Sequence, residues 1–70
     1  MKADIISIGT ELLMGELVDT NGPYLAAQLP PIGIELQRIT QAGDDIDMLV
    51  QALQQASKRS DLGLTTGGLG

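Results

Sequence analysis

Two short glycine-containing segments carry the residues of this chain that are best suited to chemistry. Gly9-Thr10-Glu11 follows an apolar run near the amino terminus, and Gly67-Gly68-Leu69-Gly70 stands at the other end of the sequence. Glycines let a backbone approach a phosphate group closely, and their amides can point at its oxygens. Either segment alone is as well explained by a simple turn or a helix cap. If the fold brings them together, they predict a binding site for a phosphate-bearing small molecule.

The charged residues limit how such a site could work. None of the four basic residues lies in either segment; they are Lys2, Arg38, Lys58 and Arg59. A bound phosphate would therefore depend on backbone amides, a helix amino terminus or a metal ion. Glu11 and Asp19 are candidate ligands for a divalent metal ion or for ribose hydroxyls, with a structural alternative as turn and cap residues. The sequence has no histidine and no cysteine, which excludes Ser-His-Asp and Cys-His catalytic groups within it.

Three runs of the sequence predict strands. Residues 4–9 are apolar, β-branched and end on a glycine, which is typical of a buried strand followed by a tight turn. Residues 34–41 alternate apolar and polar side chains and favour an edge strand. Residues 61–66 form the third run, which is weakened by Gly63 because glycine has no side chain to pack.

A first helix is predicted after the loop formed by residues 10–18, in which we expect at most one helical turn. The segment Asp19-Thr20-Asn21-Gly22-Pro23 is rich in side chains that cap helices, and Pro23 suits the first helical position. Pro30-Pro31 should end the helix near Gln28 or Leu29. The predicted buried face consists of Leu25, Leu29 and Ile32.

The second predicted helix has matching signals at both ends. Gly43-Asp44-Asp45 caps its start, Asp47 lies in its first turn and Lys58-Arg59 in its last, as the helix dipole favours. The predicted buried face consists of Ile46, Leu49, Val50, Leu53 and Ala56.

The resulting order of elements, β-α-β-α-β, predicts an α/β fold with an open parallel sheet and right-handed crossovers. With the first strand central, the strand order is 2-1-3, with the two helices on opposite faces. The gap between the first and third strands is then the point at which such sheets bind ligands, beyond the carboxyl ends of the strands. Both glycine-containing segments would meet there.

Composition excludes several other classes of protein. The chain carries 9 acidic and 4 basic residues, a net charge of −5, and Tyr24 as its single aromatic residue. Such a chain repels a phosphate backbone and has almost nothing on which bases could stack, which argues against nucleic acid. No run approaches the ~18 apolar residues of a membrane span, and Asp4 and Glu11 interrupt the apolar stretch that a signal peptide would need. We therefore expect a cytoplasmic protein with neither nucleic-acid nor membrane partners.

Four blocks of the sequence, in this order and spacing, resemble the CinA family of competence/damage-inducible proteins, whose N-terminal domain belongs to the MoaB/Mog molybdopterin-binding superfamily. The blocks are residues 6–15 (ISIGTELLMG), 18–21 (VDTN), 43–45 (GDD) and 60–70 (SDLGLTTGGLG). Residues 19–25 also resemble molybdopterin molybdotransferases of the MoeA type. Two positions depart from the family's pattern, Pro30-Pro31 and Gly63, and both concern packing rather than the site.

The resemblance implies that residues 1–70 are the N-terminal portion of a single MoaB/Mog-like domain on the order of 150–170 residues, truncated after the glycine-rich turn. It implies metal-dependent cleavage of ADP-ribose and related pyrophosphates by the longer protein, and a homo-oligomer. We expect Glu11 and Asp19 to bind the metal. The ligand-binding residues that we expect are Gly9, Thr10, Glu11, Asp19, Asn21, Thr66, Gly67, Gly68, Leu69 and Gly70. The 70-residue chain alone is predicted to be catalytically inert.

Two alternatives remain beside the enzyme. One is a module that binds a pterin such as molybdopterin for molybdenum cofactor assembly. Leu69 separates this alternative from the enzyme, because cofactor-assembly relatives more often have turns with Thr or Ser there. The other alternative is an inactive, truncated remnant whose third strand stays partly exposed.

Overall fold

The computed structural model describes residues 1–67; Gly68, Leu69 and Gly70 lie outside the described residues. Along the chain it consists of β1 (Lys2–Ile8), α1 (Thr10–Leu13), α2 (Asn21–Gln28), a 3-10 turn (Pro30–Ile32), β2 (Glu35–Ala42), α3 (Ile46–Arg59) and β3 (Leu62–Gly67). Each predicted strand is present to within two residues at either end.

The three strands form a parallel sheet in the order β2-β1-β3, which confirms the predicted topology. β1 pairs with β2 from Lys2 opposite Glu35 onward, and with β3 from Ala3 opposite Leu62 onward. β1 is central because its apolar run can be buried on both faces. β2 is an edge strand, as its alternating polar residues predict.

Alternate side chains of β1 form two separate cores. Ala3 and Ile5 are fully buried and pack with Leu29 at the end of α2. Ile6 points to the other face and packs with Ala42 of β2 and Ala56 of α3. Because successive side chains of a strand alternate in direction, α2 and α3 cover opposite faces of the sheet, as predicted.

Most of the first stretch after β1 is loop, with the single helical turn that the sequence allowed. α1 covers only Thr10–Leu13. α2 then begins at Asn21, so Pro23 occupies the third helical position rather than the first. Proline suits either place, because the amides of the first turn have no partner within the helix.

The predicted buried face of the first helix is wrong at Ile32, whose side chain is 69% exposed. The chain leaves the helix after Gln28 and continues as a 3-10 turn that contains both prolines. The tighter turn rotates Ile32 away from the direction of Leu25 and Leu29, which contact the core. Gly33, with a φ of 79°, then reverses the chain into β2.

α3 has the cap that its sequence predicts, but only part of the predicted buried face. The Asp45 carboxylate accepts hydrogen bonds from the amides of Asp47 and Met48. Ala56 is buried and Leu49 is half-buried against the sheet. Ile46, Val50 and Leu53 are exposed by 72%, 45% and 48%, so this part of the prediction is wrong. These three side chains form a stripe beside the Leu49–Ala56 contact, and no other described element covers it.

The end of α3 is tied to the start of the sheet. The Asp4 carboxylate is fully buried, and its Oδ2 lies 2.6 Å from Nη2 of Arg59. The hydroxyl of Ser60 donates to the other oxygen of Asp4. No helix within residues 1–67 is both long and apolar enough to cross a membrane.

Candidate functional site

Gly9-Thr10-Glu11 and Gly67, the first residue of the second glycine-containing segment, meet at the carboxyl edge of the sheet, whereas the predicted ligand residues Gly68, Leu69 and Gly70 lie outside the described residues. Ile8 pairs with Gly67 in the β1–β3 register, so Gly9 begins its segment beside the end of β3. Gly67 has a φ of 85°, and a Cβ placed on it would collide with the carbonyl oxygen of Ile8. Glycine is therefore required at this position, because the backbone is left-handed and the neighbouring strand is too close.

The segment after β1 is anchored to the loop that leads into α3. The amide of Gly9 donates to the carbonyl oxygen of Ala42 at 2.8 Å. The Thr10 hydroxyl donates to the Asp44 carboxylate at 3.3 Å. Asp44, interpreted from the sequence as part of a helix cap, contacts Thr10, while Asp45 alone caps α3. Glu11 is exposed, and its carboxylate lies near Gly9, 3.0 Å from where a Cβ on Gly9 would lie.

Asp19 is held on the other side of the edge by two hydrogen bonds. Its Oδ2 accepts from the Ser7 hydroxyl at 2.6 Å, and its Oδ1 accepts from the Gly22 amide at 3.0 Å. The Asp19 side chain therefore joins the end of β1 to the first turn of α2. Asn21, the first residue of α2, is exposed beside it.

Thr66 lies on the same side of the sheet as Ser7. The two residues are direct partners in the β1–β3 register, and Thr66 is half-buried. The described site residues thus form two groups. Gly9 and Thr10 bond to the end of β2 and to the β2–α3 loop, with Glu11 beside Gly9. Asp19 bonds to Ser7, which is the register partner of Thr66.

The carboxyl edge of the sheet is acidic, because the basic residues of the chain lie elsewhere. The ion pair with Asp4 holds Arg59 at the opposite, amino-terminal edge of the sheet, where the amide of Lys2 also bonds to the Asp61 carboxylate. Lys58 lies in the same last turn of α3. Arg38 is exposed near the middle of β2. The described part of the chain therefore places no basic residue in the two predicted ligand segments.

Metal binding would have to involve more than the carboxylates described. In the region from Met1 to Gly67, no three acidic side chains come close enough to form a metal site by themselves. Both oxygens of Asp19 accept one hydrogen bond each, which leaves a further lone pair on each oxygen. A divalent cation at this edge would have to complete its coordination with water and the phosphates of a ligand, as Mg²⁺ commonly does.

Sequence reasoning missed Ser7 and the role of Asp44. Ser7 is fully buried, and its signal was present as the one hydroxyl in an otherwise apolar run, Ile5 to Ile8. A polar side chain in a buried strand requires a hydrogen-bond partner, although the sequence does not show which one.

A groove on the surface lies away from these residues. It has a volume of about 440 Å³ and is formed by the end of α3 and the start of β3. Its lining residues are Leu53, Ala56, Ser57, Ser60, Asp61 and Gly63. This groove is near the amino-terminal edge of the sheet, so it is not the predicted ligand site.

Comparison with known proteins gives a consistent result. A family model described as "probable molybdopterin binding domain" matches residues 4–70. A CinA-like protein of Kosmotoga olearia is 54% identical over all 70 residues. A protein of Halothermothrix orenii whose name describes it as competence-damage inducible is 56% identical over the same length. The chain spans only 17% of the length of each of these two relatives.

A solved structure has the same fold. The crystal structure of the protein CinA, of unknown function, from Thermoplasma acidophilum superposes with a TM-score of 0.93 and is 35% identical. The match covers 99% of this chain and 41% of that one.

Proposed function

The chain belongs to the family of probable molybdopterin-binding domains, and from that premise we propose that it binds a phosphate-bearing small molecule at the carboxyl edge of β1 and β3. The observation that carries this proposal is the pairing of Ile8 with Gly67, which brings Gly9-Thr10-Glu11 beside Thr66 and Gly67. The edge lies at the point where the strand order reverses, the usual ligand site of open α/β sheets. The ligand is a nucleotide or a pterin.

The acidic character of the edge favours a ligand that arrives with a divalent cation. Glu11 and Asp19 would hold the cation, and the glycine backbone of the two segments would approach the phosphates. When bound, the cation would offset the charge of a pyrophosphate and polarise a phosphoryl oxygen. Thr10 and Asn21 are exposed hydrogen-bonding groups at the same edge, suited to orienting the ligand's hydroxyl or amide groups.

We propose that a longer protein carries this chain, as the length of the relatives it matches indicates, and that this full-length protein hydrolyses ADP-ribose and related pyrophosphates. Water adds to one phosphorus of the pyrophosphate, and the bond between that phosphorus and the bridging oxygen breaks. The products from ADP-ribose are AMP and ribose 5-phosphate. The 70-residue chain supplies part of the binding wall and is expected to be inert alone.

The test is an assay of the full-length protein with ADP-ribose and Mg²⁺, Mn²⁺ or Co²⁺, following release of AMP. We expect metal-dependent hydrolysis that falls at least about tenfold in Glu11→Gln and in Asp19→Asn. Glu35→Gln is the matched control, because Glu35 is an exposed carboxylate at the opposite edge of the sheet. The absence of hydrolysis with all three metals would contradict the enzymatic proposal.

The second candidate function is binding of a pterin such as molybdopterin without hydrolysis. It is favoured by the description of the family model that matches residues 4–70. Titration of the full-length protein with molybdopterin, followed by calorimetry, separates the two candidates. Saturable pterin binding together with no hydrolysis of ADP-ribose would support this second function in place of the first.

We also propose that the chain forms a homo-oligomer, through a second copy packed on the apolar stripe of Ile46, Val50 and Leu53. These residues have helical spacing along α3 and are exposed. On one flank of the stripe, Asp47 lies near the start of the helix and Lys58 near its end. An antiparallel second copy of α3 would bring Asp47 of each copy near Lys58 of the other, which favours this orientation.

A further inference from the structure

The face of the sheet that α2 covers changes from apolar to polar in its last row. Ile5 has Ile39 and Leu64 as its neighbours in the register, so that row is apolar across all three strands. Two residues further on, Ser7 has Gln41 and Thr66 as its neighbours. A row of three polar side chains at the carboxyl edge is not explained by core packing, which would favour apolar residues there.

Ser7 is the central and most buried member of this polar row. Its side chain is fully buried, and its hydroxyl donates to Oδ2 of Asp19 at 2.6 Å. The other oxygen of that carboxylate accepts from the Gly22 amide in the first turn of α2. A Cβ on Gly22 would lie 2.5 Å from Oδ2 of Asp19 and 2.8 Å from the Ser7 hydroxyl, so these three groups are closely packed.

We propose that Ser7 is a positioning residue for ligand binding, acting through Asp19. This inference rests on the proposed function, because it assigns Asp19 to the site at the carboxyl edge. The hydroxyl and the Gly22 amide together fix both oxygens of the carboxylate. The lone pairs that these two hydrogen bonds leave unused are then held in one orientation for a ligand or its cation.

A carboxylate with only one of these bonds would be free to adopt other rotamers. Asp19 is half-buried and its neighbours Thr20 and Val18 are exposed, so little else that the structure describes restrains its side chain. Loss of the Ser7 hydroxyl removes a charge-assisted hydrogen bond, which is stronger than a neutral one. Alanine at this position is compatible with the strand, since Ala3 occupies the same face of β1.

The experiment measures the affinity of the full-length protein for ADP-ribose with Mg²⁺ by calorimetry. Ser7→Ala is expected to weaken binding at least about tenfold, the usual effect of removing a residue that orients a ligating group. Ser7→Thr, which keeps the hydroxyl, is expected to retain most of the affinity. Ser57→Ala is the matched control, because it removes an exposed serine hydroxyl on α3 that donates to the Gln54 carbonyl, away from the carboxyl edge.

A double-mutant cycle distinguishes positioning from a general effect on the fold. In an Asp19→Ala background, Ser7→Ala should cause no further loss of affinity, because the group that Ser7 orients is already gone. The NMR carboxyl signal of Asp19 should shift in Ser7→Ala, while amide signals of α3 stay in place. If Ser7→Ala does not fold, Ser7→Cys replaces it, since the thiol is a weak donor of similar size.

Two results would overturn the inference and leave the proposed function intact. One is wild-type affinity in Ser7→Ala; the other is an equal further loss when Ser7→Ala is added to Asp19→Ala. Failure of the wild-type protein to bind ADP-ribose with Mg²⁺ would instead overturn binding of this ligand class at the edge, and the positioning role with it.

Discussion

Asp4 and Arg59 form an ion pair, with 2.6 Å between Oδ2 and Nη2, that joins the start of the central strand to the end of α3. Asp4 is completely buried, whereas the Arg59 side chain is 27% exposed. Ser60 supplies a second donor to the same carboxylate. A buried carboxylate requires such partners, so this pair fixes where α3 ends relative to the sheet.

Replacing Arg59 by methionine should lower the free energy of unfolding by about 3 kcal/mol, because a buried carboxylate loses its charged partner. This value is the lower end of the range usual for breaking a buried ion pair, because Arg59 is partly exposed. Lys2→Met is the control and should change stability by less than about 0.5 kcal/mol, because the Lys2 side chain is exposed at the start of β1. Urea unfolding followed by circular dichroism measures both. Equal effects of the two variants would show that the pair is not stabilising.

Gly67→Ala should destabilise the protein by more than about 1–2 kcal/mol, the cost of a left-handed backbone at a residue with a Cβ. The added methyl group would also collide with Ile8. Gly63→Ala in the same strand is the opposite case, because a Cβ there meets no atom within 4 Å. It should leave stability unchanged or raise it by about 0.5–1 kcal/mol. Thermal unfolding of the two variants in parallel tests the difference, and a Gly67→Ala protein as stable as Gly63→Ala would contradict it.

The two adjacent aspartates before α3 should differ in their effect on stability. Asp45→Ala removes the side chain that accepts hydrogen bonds from the amides of Asp47 and Met48, and should cost about 1 kcal/mol. Asp44→Ala removes one long, exposed hydrogen bond to Thr10 and should cost less than about 0.5 kcal/mol. Chemical denaturation compares them. The reverse order would mean that Asp44 is the effective cap.

The sequence predicts the parts of this structure that depend on neighbouring residues. The central strand follows from the apolar run around Ile5, and the start of α3 follows from Asp45. The strand order also follows, because one strand is apolar on both faces and the element order implies parallel crossovers. The approach of Gly9-Thr10-Glu11 to Gly67 is a consequence of that order.

Contacts between distant residues could not be predicted in this way. Arg59 is 55 positions from Asp4, and Ser7 is 12 from Asp19. No periodic pattern in the sequence indicates either contact, because each depends on how two elements pack against each other. The predicted buried face of α3 was wrong at Ile46, Val50 and Leu53 for a related reason. Apolar spacing identifies Val50 and Leu53 as one side of the helix, but the width of the sheet beneath decides how much of that side is covered.

Self-association through α3 can be tested by a single substitution. Leu53 is the stripe residue nearest the midpoint between Asp47 and Lys58, so Leu53→Lys should shift the protein toward monomer, because like charges would meet in an antiparallel pair. The fold should survive, since the Leu53 side chain is already 48% exposed. Gln51→Lys is the matched control, as Gln51 is exposed on the same helix but outside the stripe. Sedimentation velocity over a range of concentrations measures the change. If wild type and Leu53→Lys show the same distribution of species, the α3 stripe is not the contact between copies.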